Sequence, residues 1–486
     1  MGTEILSDMQ KTTLDPSNWD DFRTQSHLML DDMLSYIENI RLRPVWQPIP
    51  NNVRQSIQES IPLKPSELSE VHDQFMKKVL PYAVGNVHPA FMGWVHGGGT
   101  PVGMLAEMLS AGLNANLGGR DQMPIEIEKQ VVRWMIELFE FPENSSGIFV
   151  AGTSMANFMS VLIARTNLLG REVRETGLLN SGRTLIAYTS EAAHGCIKQA
   201  IDIAGIGTDS IRFIPVNNEY QMDVEILRKT IAEDKKNGLE PFFIAATAGT
   251  VDVGAIDDLE TIASIAKKEN IWFHVDGAYG ALGLLAEDVA PKIKGIHQAD
   301  SIAFDFHKWG QVPYDAGFIL VRNRNVHLET FSSPATYLSR ENAGMSAGSP
   351  WPCDFGPDLS RSFRALKTWF TFKTYGKEKI GEMISDTCKL AQYLKTSVVD
   401  NPNLELMSPV ELNIVCFRFK AENSDEINKS IVIKLQESGI CAPSTTTLNG
   451  SLAIRVAFVN HRTNFNDVDA LIEATVRFGK EYESSI

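Results

Sequence analysis

Between residues 86 and 375 the chain alternates short apolar runs with amphipathic stretches, and that alternation restricts its fold more than any other feature. GIFVAG, TLIAYTS, IRFIPV, PFFIAATAG, IWFHVDGA and ADSIAFDF have strand length and are rich in β-branched and aromatic residues. Between them lie helical sequences such as VEILRKTIAEDKKNG and DDLETIASIAKKEN. Strands that are apolar throughout are buried on both faces, and helices returning between them lay the strands parallel. The pattern predicts an α/β domain with a mostly parallel central sheet. Ligands of such sheets bind outside the carboxyl ends of the strands.

The flanks differ from this middle. Residues 1–85 predict a helical, proline-punctuated segment. WDDFRTQSHLMLDDMLSYIENI, opened by Asp15 and Pro16, places Phe22, Leu28, Leu30, Leu34 and Ile37 near helical spacing. RLRPVWQPIPNN then reads as extended. A segment with so little core of its own is expected to lie against another surface, such as a second subunit. In residues 376–486, NIVCFRFK and SLAIRVAFVN read as strands and DVDALIEATVRFGKEY as a closing helix, a smaller C-terminal α+β domain.

Composition narrows the partners. A net charge of -15 argues against nucleic acid or an anionic membrane, while leaving room for a local basic pocket. No apolar run approaches the roughly 20 residues of a membrane span. MGTEILSDMQKTT has neither a basic nor an apolar signal region, so no secretory signal is expected. The five cysteines are scattered, without C-x-x-C, and read as reduced thiols. Together these point to the cytoplasm. The ten histidines form no H-E-x-x-H, and no metal site is expected. The GGG at 97–99 lacks the lysine or spacing of a nucleotide loop.

Four loops follow predicted strands and should gather at one edge of the sheet. AGTSMAN (151–157) offers small and hydroxyl residues at a helix N-terminus, an anion cradle if it is more than a cap. TSEAAHG carries His194, and HVDGAYG carries Asp276 at the end of an apolar strand. FHKW places Lys308 about one βαβ unit after Asp276, a unit of roughly 30 residues. A buried amine is disfavoured unless it has a task. An amine, a carboxylate and an anion cradle at one sheet edge suit a ligand with a carbonyl, a basic ring nitrogen and a phosphate. Pyridoxal 5'-phosphate is such a ligand: the lysine forms a Schiff base and the carboxylate holds the ring nitrogen protonated.

HVDGAYG, FHKW, GTSMAN and NVHPAFMGWVHGG closely resemble the group II pyridoxal-phosphate decarboxylases, which include aromatic-L-amino-acid, tyrosine, histidine and glutamate decarboxylases. The resemblance covers nearly the whole chain, from WDDFRTQSHLMLDDMLSYI, similar to the family's dimerising segment, to LSRSFRALKTWFTFKTYG. It implies the aspartate aminotransferase type of fold (fold type I) and a homodimer with active sites at the interface. It makes Lys308 the Schiff-base lysine, Asp276 the partner of the pyridine nitrogen and His194 the histidine stacked on the ring. Thr153 and Ser154 match the phosphate loop, Thr247 a threonine near the ring hydroxyl, Ala278 the small residue under the ring, and His307 the histidine before the lysine. Asp305 falls where animal members often place an asparagine near the phosphate, and a carboxylate there would repel the dianion unless it faced elsewhere. Trp94, Val95, His96 and Asn116 match the pocket for the substrate side chain, some of them contributed across the dimer.

The implied reaction is decarboxylation of an L-amino acid to its amine. Two departures stand out. Family members usually carry a tyrosine on a loop that protonates Cα. The matching loop, about 339–358, contains no tyrosine, and Tyr337 lies just before it in TYL, which resembles another part of the pattern. Members lacking that phenol can act as aldehyde synthases, so oxidative deamination is the alternative product chemistry. The rim is the other departure: His96, Gly97, Asn116 and Gly118 suggest a substrate more polar or longer than phenylalanine, with Trp94 as an aromatic wall. An aminotransferase is the third reading, and it needs an arginine for the substrate carboxylate. Arg455 is the candidate by domain position, with a structural pairing as the plainer role.

Overall fold

The computed structural model describes residues 12–332 and 341–484. The six apolar runs of the middle region all form strands: β1 (Ser146–Val150), β2 (Leu185–Ser190), β3 (Ile211–Ile214), β4 (Glu240–Thr247), β5 (Trp272–Asp276) and β6 (Ser301–Asp305). A seventh, β7 (Gly317–Val321), has no counterpart among those runs. The order is β1-β7-β6-β5-β4-β2-β3. The pairs β6/β5, β5/β4, β4/β2 and β2/β3 are parallel, whereas β7 runs antiparallel to both neighbours. Because β7 reverses direction between β1 and β6, those two strands point the same way. The carboxyl ends of β1, β2, β4, β5 and β6 therefore share one edge, as the strand–loop pattern requires.

The strands β2, β5, β6 and β7 are buried along their whole length. Helices cover both faces. Thr153–Leu169 packs on one side with Ile148, Ala187 and Phe243. Met123–Leu138 and Leu259–Glu269 pack on the other with Ile244, Phe273 and Phe304.

A long helical stretch, Arg364–Asp400, leaves the large domain and breaks at Gly376, where φ is +74. That left-handed conformation is open to glycine without steric penalty. Beyond it lies a four-stranded antiparallel sheet, ordered β10-β11-β9-β8, from β8 (Leu404–Leu406), β9 (Ile414–Phe419), β10 (Ser444–Leu448) and β11 (Ser451–Ala457). Helices Ser424–Glu437 and Phe465–Glu483 cover it.

The N-terminal segment is a different kind of structure. Helix Trp19–Glu38 is capped by Asn18, whose side chain accepts from the amides of Asp20 and Asp21, yet it buries no residue within the chain. Trp19, Phe22, Leu28 and Leu34 are exposed. The extended piece after it docks on the small domain: Val45 is buried, its N–H bonds Gly439 O at 3.3 Å, and Arg41 pairs with Asp467 at 2.9 Å. No helix among the described residues is long and apolar enough to cross a membrane.

Candidate active site

A cavity of about 400 Å3 opens at the carboxyl edge of the large sheet. Its lining includes Trp94, Val95, His96, Thr153, Ser154, His194, Thr247, Asp276, Ala278, His307 and Lys308, which brings together every site residue expected from sequence except Asn116. Cys196 and Tyr314, to which sequence reading assigned no place in the site, also line it, as does Asp305.

Strand register places the two central groups. β5 and β6 are parallel neighbours, with Asp276 opposite Ala303. Lys308 follows β6 by one tight turn, in which its N–H bonds Asp305 O at 3.3 Å. Asp276 is 2% exposed. Burial pushes its carboxyl above the usual range, while Lys308, the Asn157 amide and the Ala278 N–H pull the other way. Ala278 N donates to Oδ1 at 3.1 Å and Asn157 Nδ2 to Oδ2 at 2.9 Å. The Cys196 thiol, pushed up to about 12 chiefly by burial, stays protonated 3.7 Å from Oδ2.

Asp305 does not face elsewhere. It is 3% exposed and lies in the cavity, with each oxygen held by a donor. Oδ1 accepts the Thr153 N–H at 2.8 Å, and Oδ2 lies 3.0 Å from Lys308 Nζ. The lysine thus has a counter-ion, and the carboxylate's charge is met within the chain. His307 completes the group. Its Nδ1 accepts from Ala316 N at 3.0 Å, and its Nε2 faces Asp305 at 3.6 Å. Burial lowers its pKa to about 4, so the ring is neutral with its proton on Nε2.

The anion end of the cavity is the start of helix Thr153–Leu169. Thr153 Oγ1 is buried there without a hydrogen-bond partner. A buried hydroxyl left without a partner is rare and asks for one. A phosphate at this helix N-terminus supplies one, with the helix dipole in its favour. His194 reaches the cavity from the loop after β2, its Nδ1 accepting from Cys196 N at 3.1 Å. Lysine, carboxylate, unpaired hydroxyl and histidine in one space of this size fit pyridoxal 5'-phosphate.

The outer wall is aromatic. Trp94, His96 and Phe91 stack with ring centroids 5.6 to 6.1 Å apart, and Tyr314 lies edge-on to His96 at 5.9 Å and against His307 at 4.1 Å. Two contacts hold this wall. Gly97 packs on the lysine turn, with its N–H on His307 O at 3.2 Å. A Cβ there would stand 2.4 Å from His307 O and 2.6 Å from Lys308 O, so only glycine fits. Trp94 sits at φ +48, unusual for a large side chain, and its carbonyl accepts from Arg455 Nη1 at 3.2 Å.

Arg455 is buried, and its guanidinium is taken up by the carbonyls of Val251, Asp252 and Trp94 and the Ser444 hydroxyl. Among the described residues it makes neither an ion pair nor a carboxylate clamp. It tethers the small domain to the cavity wall. The polar-rim expectation also changes. Asn116 lies outside the cavity of its own chain, where Oδ1 accepts the amides of Gly118 at 2.9 Å and Arg361 at 3.0 Å. Of the residues that made the rim read as polar, His96 alone lines the cavity, and it does so within an aromatic stack. Residues 333–340, which contain Tyr337 and the start of the expected loop, lie outside the described residues.

Comparison with known proteins finds relatives along most of the chain. The chain is 29% identical over 460 residues to an aromatic-L-amino-acid decarboxylase of Bacillus atrophaeus, covering 92% of this chain and 93% of that protein. It is 28% identical over 460 residues to a phenylacetaldehyde synthase of Arabidopsis thaliana, covering 91% and 93%. The crystal structure of Oryza sativa TDC with PLP and tryptamine matches with a TM-score of 0.87 over 97% of this chain and all of that one, at 22% identity, a likeness of fold. A family model, the pyridoxal-dependent decarboxylase conserved domain, matches residues 50–420. With most of its length matched and a lysine, carboxylate and anion cradle at one sheet edge, the chain belongs to the pyridoxal-phosphate-dependent decarboxylases.

Proposed function

We propose that the chain decarboxylates an L-amino acid with a flat or aromatic side chain, giving the amine and carbon dioxide, with Lys308 as the covalent anchor of the cofactor. The observation that carries this is the meeting of Lys308, Asp276 and the Thr153 helix start in one cavity. When bound, pyridoxal 5'-phosphate supplies a carbonyl carbon for the substrate amine and a ring that takes up the electron pair left by the departing carboxylate. The chain's own residues do the rest. Asp276 holds a proton at the ring nitrogen. Thr153 and Ser154 bind the phosphate, and Thr247 and Ala278 bound the ring. His194 rests on its face. Trp94, His96 and Tyr314 pack on the substrate side chain and keep water from the reacting carbon.

The active unit proposed is a homodimer. Helices Trp19–Glu38 and Pro101–Leu113 expose Trp19, Phe22, Leu28, Leu105, Leu109 and Leu113, an apolar surface that a second copy would cover. Asn116 would then act, if at all, on the partner's cavity. Light scattering after size exclusion would report about twice the chain mass, and a monomer would refute the dimer.

The second reading is aldehyde synthesis, favoured by the absence of tyrosine from residues 341–358 and by the relationship to a phenylacetaldehyde synthase. One experiment separates the readings. The twenty amino acids are screened with carbon dioxide, amine and peroxide measured together. Amine without peroxide supports decarboxylation alone, and peroxide with aldehyde supports the second reading. The aminotransferase reading has lost its arginine, and the same screen with 2-oxo acids present would show no amino transfer.

A further inference from the structure

Beneath the cavity, four buried polar side chains connect Asp276 to the interior of the sheet. Asn157 Nδ2 lies 2.9 Å from Asp276 Oδ2, and Asn157 Oδ1 lies 2.8 Å from His274 Nε2. His274 Nδ1 is 2.9 Å from Ser301 Oγ, which Trp272 Nε1 approaches at 2.8 Å. Asn157, His274 and Ser301 are each 0% exposed. None of the four lines the cavity.

The ends of this chain of contacts fix its direction. An indole N–H only donates, and a carboxylate only accepts. The carboxylate requires the amide N–H of Asn157, so the amide oxygen faces His274 and Nε2 must carry the proton. Burial pushes His274 down to about 3, so the ring is neutral and Nδ1 is bare. Nδ1 then takes the Ser301 hydroxyl proton, and the Ser301 oxygen takes the Trp272 N–H. Every donor points toward Asp276. The ring of His274 is also stacked on Phe243, with centroids 5.4 Å apart.

β5 and β6 are otherwise apolar at their buried centres, and apolar residues at 157, 274 and 301 would fill the space without needing matched partners. What such a core would not do is stabilise charge on Asp276. Burial alone opposes that charge, and hydrogen bonds donated to a carboxylate restore it.

We propose that Asn157 and His274 are positioning residues of the cofactor site. Their one-way hydrogen-bond chain keeps Asp276 an ionised acceptor, so that the proton it shares with the ring nitrogen of bound pyridoxal 5'-phosphate resides on the ring. This rests on the cofactor reading above and names the source of the ring's charge. Without the chain, Asp276 is the stronger base of the two and takes the proton, leaving both groups neutral.

The test uses the full chain loaded with pyridoxal 5'-phosphate carrying 15N in the ring, compared by NMR across wild type, Asn157→Leu, His274→Phe and His274→Gln. Glutamine retains an N–H for Asn157, and phenylalanine does not. Wild type and His274→Gln should give the protonated-ring signal. Asn157→Leu and His274→Phe should move toward the unprotonated one and bind the cofactor roughly tenfold more weakly or worse, the effect of weakening one charge-assisted hydrogen bond. Circular dichroism checks folding, and should Asn157→Leu not fold, the phenylalanine and glutamine pair decides. A protonated-ring signal in His274→Phe, or a glutamine variant indistinguishable from the phenylalanine one, overturns the proposal. Wild type that develops no visible cofactor band, or a band that survives in Lys308→Ala, overturns the cofactor reading and this one with it. A Lys308-dependent band with unchanged ring signals overturns the relay alone.

Discussion

The floor and the rim of the cavity are built by different means. The floor is Asp276, Thr153, Asp305 and the side chains behind them, set by the register of parallel strands and nearly free of solvent. The rim is Trp94, His96 and Tyr314, carried on loops, with Trp94 52% and Tyr314 48% exposed. Each floor position is fixed by several neighbours at once. The rim hangs from a few points: the Gly97 contact with the lysine turn and the grip of Arg455 on the Trp94 carbonyl. Under the proposed function, the contrast makes the bond to be broken and the side chain to be accepted separable. Damage to the floor should abolish chemistry on every substrate. Damage to the rim should change which substrate is preferred.

Substitutions can break or sharpen this contrast. Lys308→Ala should lower turnover by roughly 10^4-fold or more on all substrates, with loss of the visible cofactor band. Residual turnover within tenfold of wild type would remove the lysine from the floor's chemistry. Asp276→Asn should lower kcat by roughly 10^2- to 10^3-fold, the range seen when one preorganised electrostatic partner is lost, again for all substrates alike. Gly97→Ala joins the two regions, since its methyl group would press on the His307 and Lys308 carbonyls. It should destabilise the fold by about 1–3 kcal/mol in thermal melts and raise KM. The smallest effects belong to the rim. His96→Ala and Tyr314→Leu should change KM by roughly tenfold for aromatic substrates and leave kcat within a few-fold, as expected when packing equal in ground and transition states is removed. A fall in kcat without a change in KM would move those residues to the floor.

Acid sharpens the contrast from another side. His307 is buried neutral, with a pKa of about 4 against 6.5 in the unfolded chain. Between those values the unfolded chain binds the extra proton, so folding stability rises with pH there and is lost as pH falls from 6.5 toward 4. In cofactor-free protein, His307→Asn should flatten the dependence of Tm on pH in that window. An unchanged slope would show that the ring is not held neutral.

The floor was also the more legible region in sequence. Asp276 and Lys308 close recognisable apolar runs one βαβ unit apart, and the strands β5 and β6 fell where the pattern put them. β7 escaped because no amphipathic helix precedes it: GFILV follows β6 after a turn, and an alternating strand–helix pattern has no place for a reversed strand. β8 and β10 escaped for local reasons, one being three residues long and the other a threonine-rich edge. Asn157 and His274 were in view, inside GTSMAN and HVDGAYG, yet each alone reads as a packed polar residue. Their signal was joint: a histidine in WFHVD and a serine in SIAFD, polar residues in two fully buried parallel neighbours. The rim was less legible: Asn116 and Gly118 do not line the cavity of their own chain, and Tyr314 lies in an irregular segment with no periodicity to expose it.

The reversed strand that escaped notice also acts as a ruler. Because β7 stands between β1 and β6, the strand that leads into Thr153 and the strand that leads into Lys308 are two places apart in the sheet. At about 4.8 Å per place, those two strands run close to 10 Å apart. Gly317 opens β7 so tightly against Gly152 that any larger residue would meet its backbone, so β1 and β7 keep their close approach at this edge. Backbone packing alone thus sets the spacing of the two strand ends on which the cavity is built, before any side chain is placed.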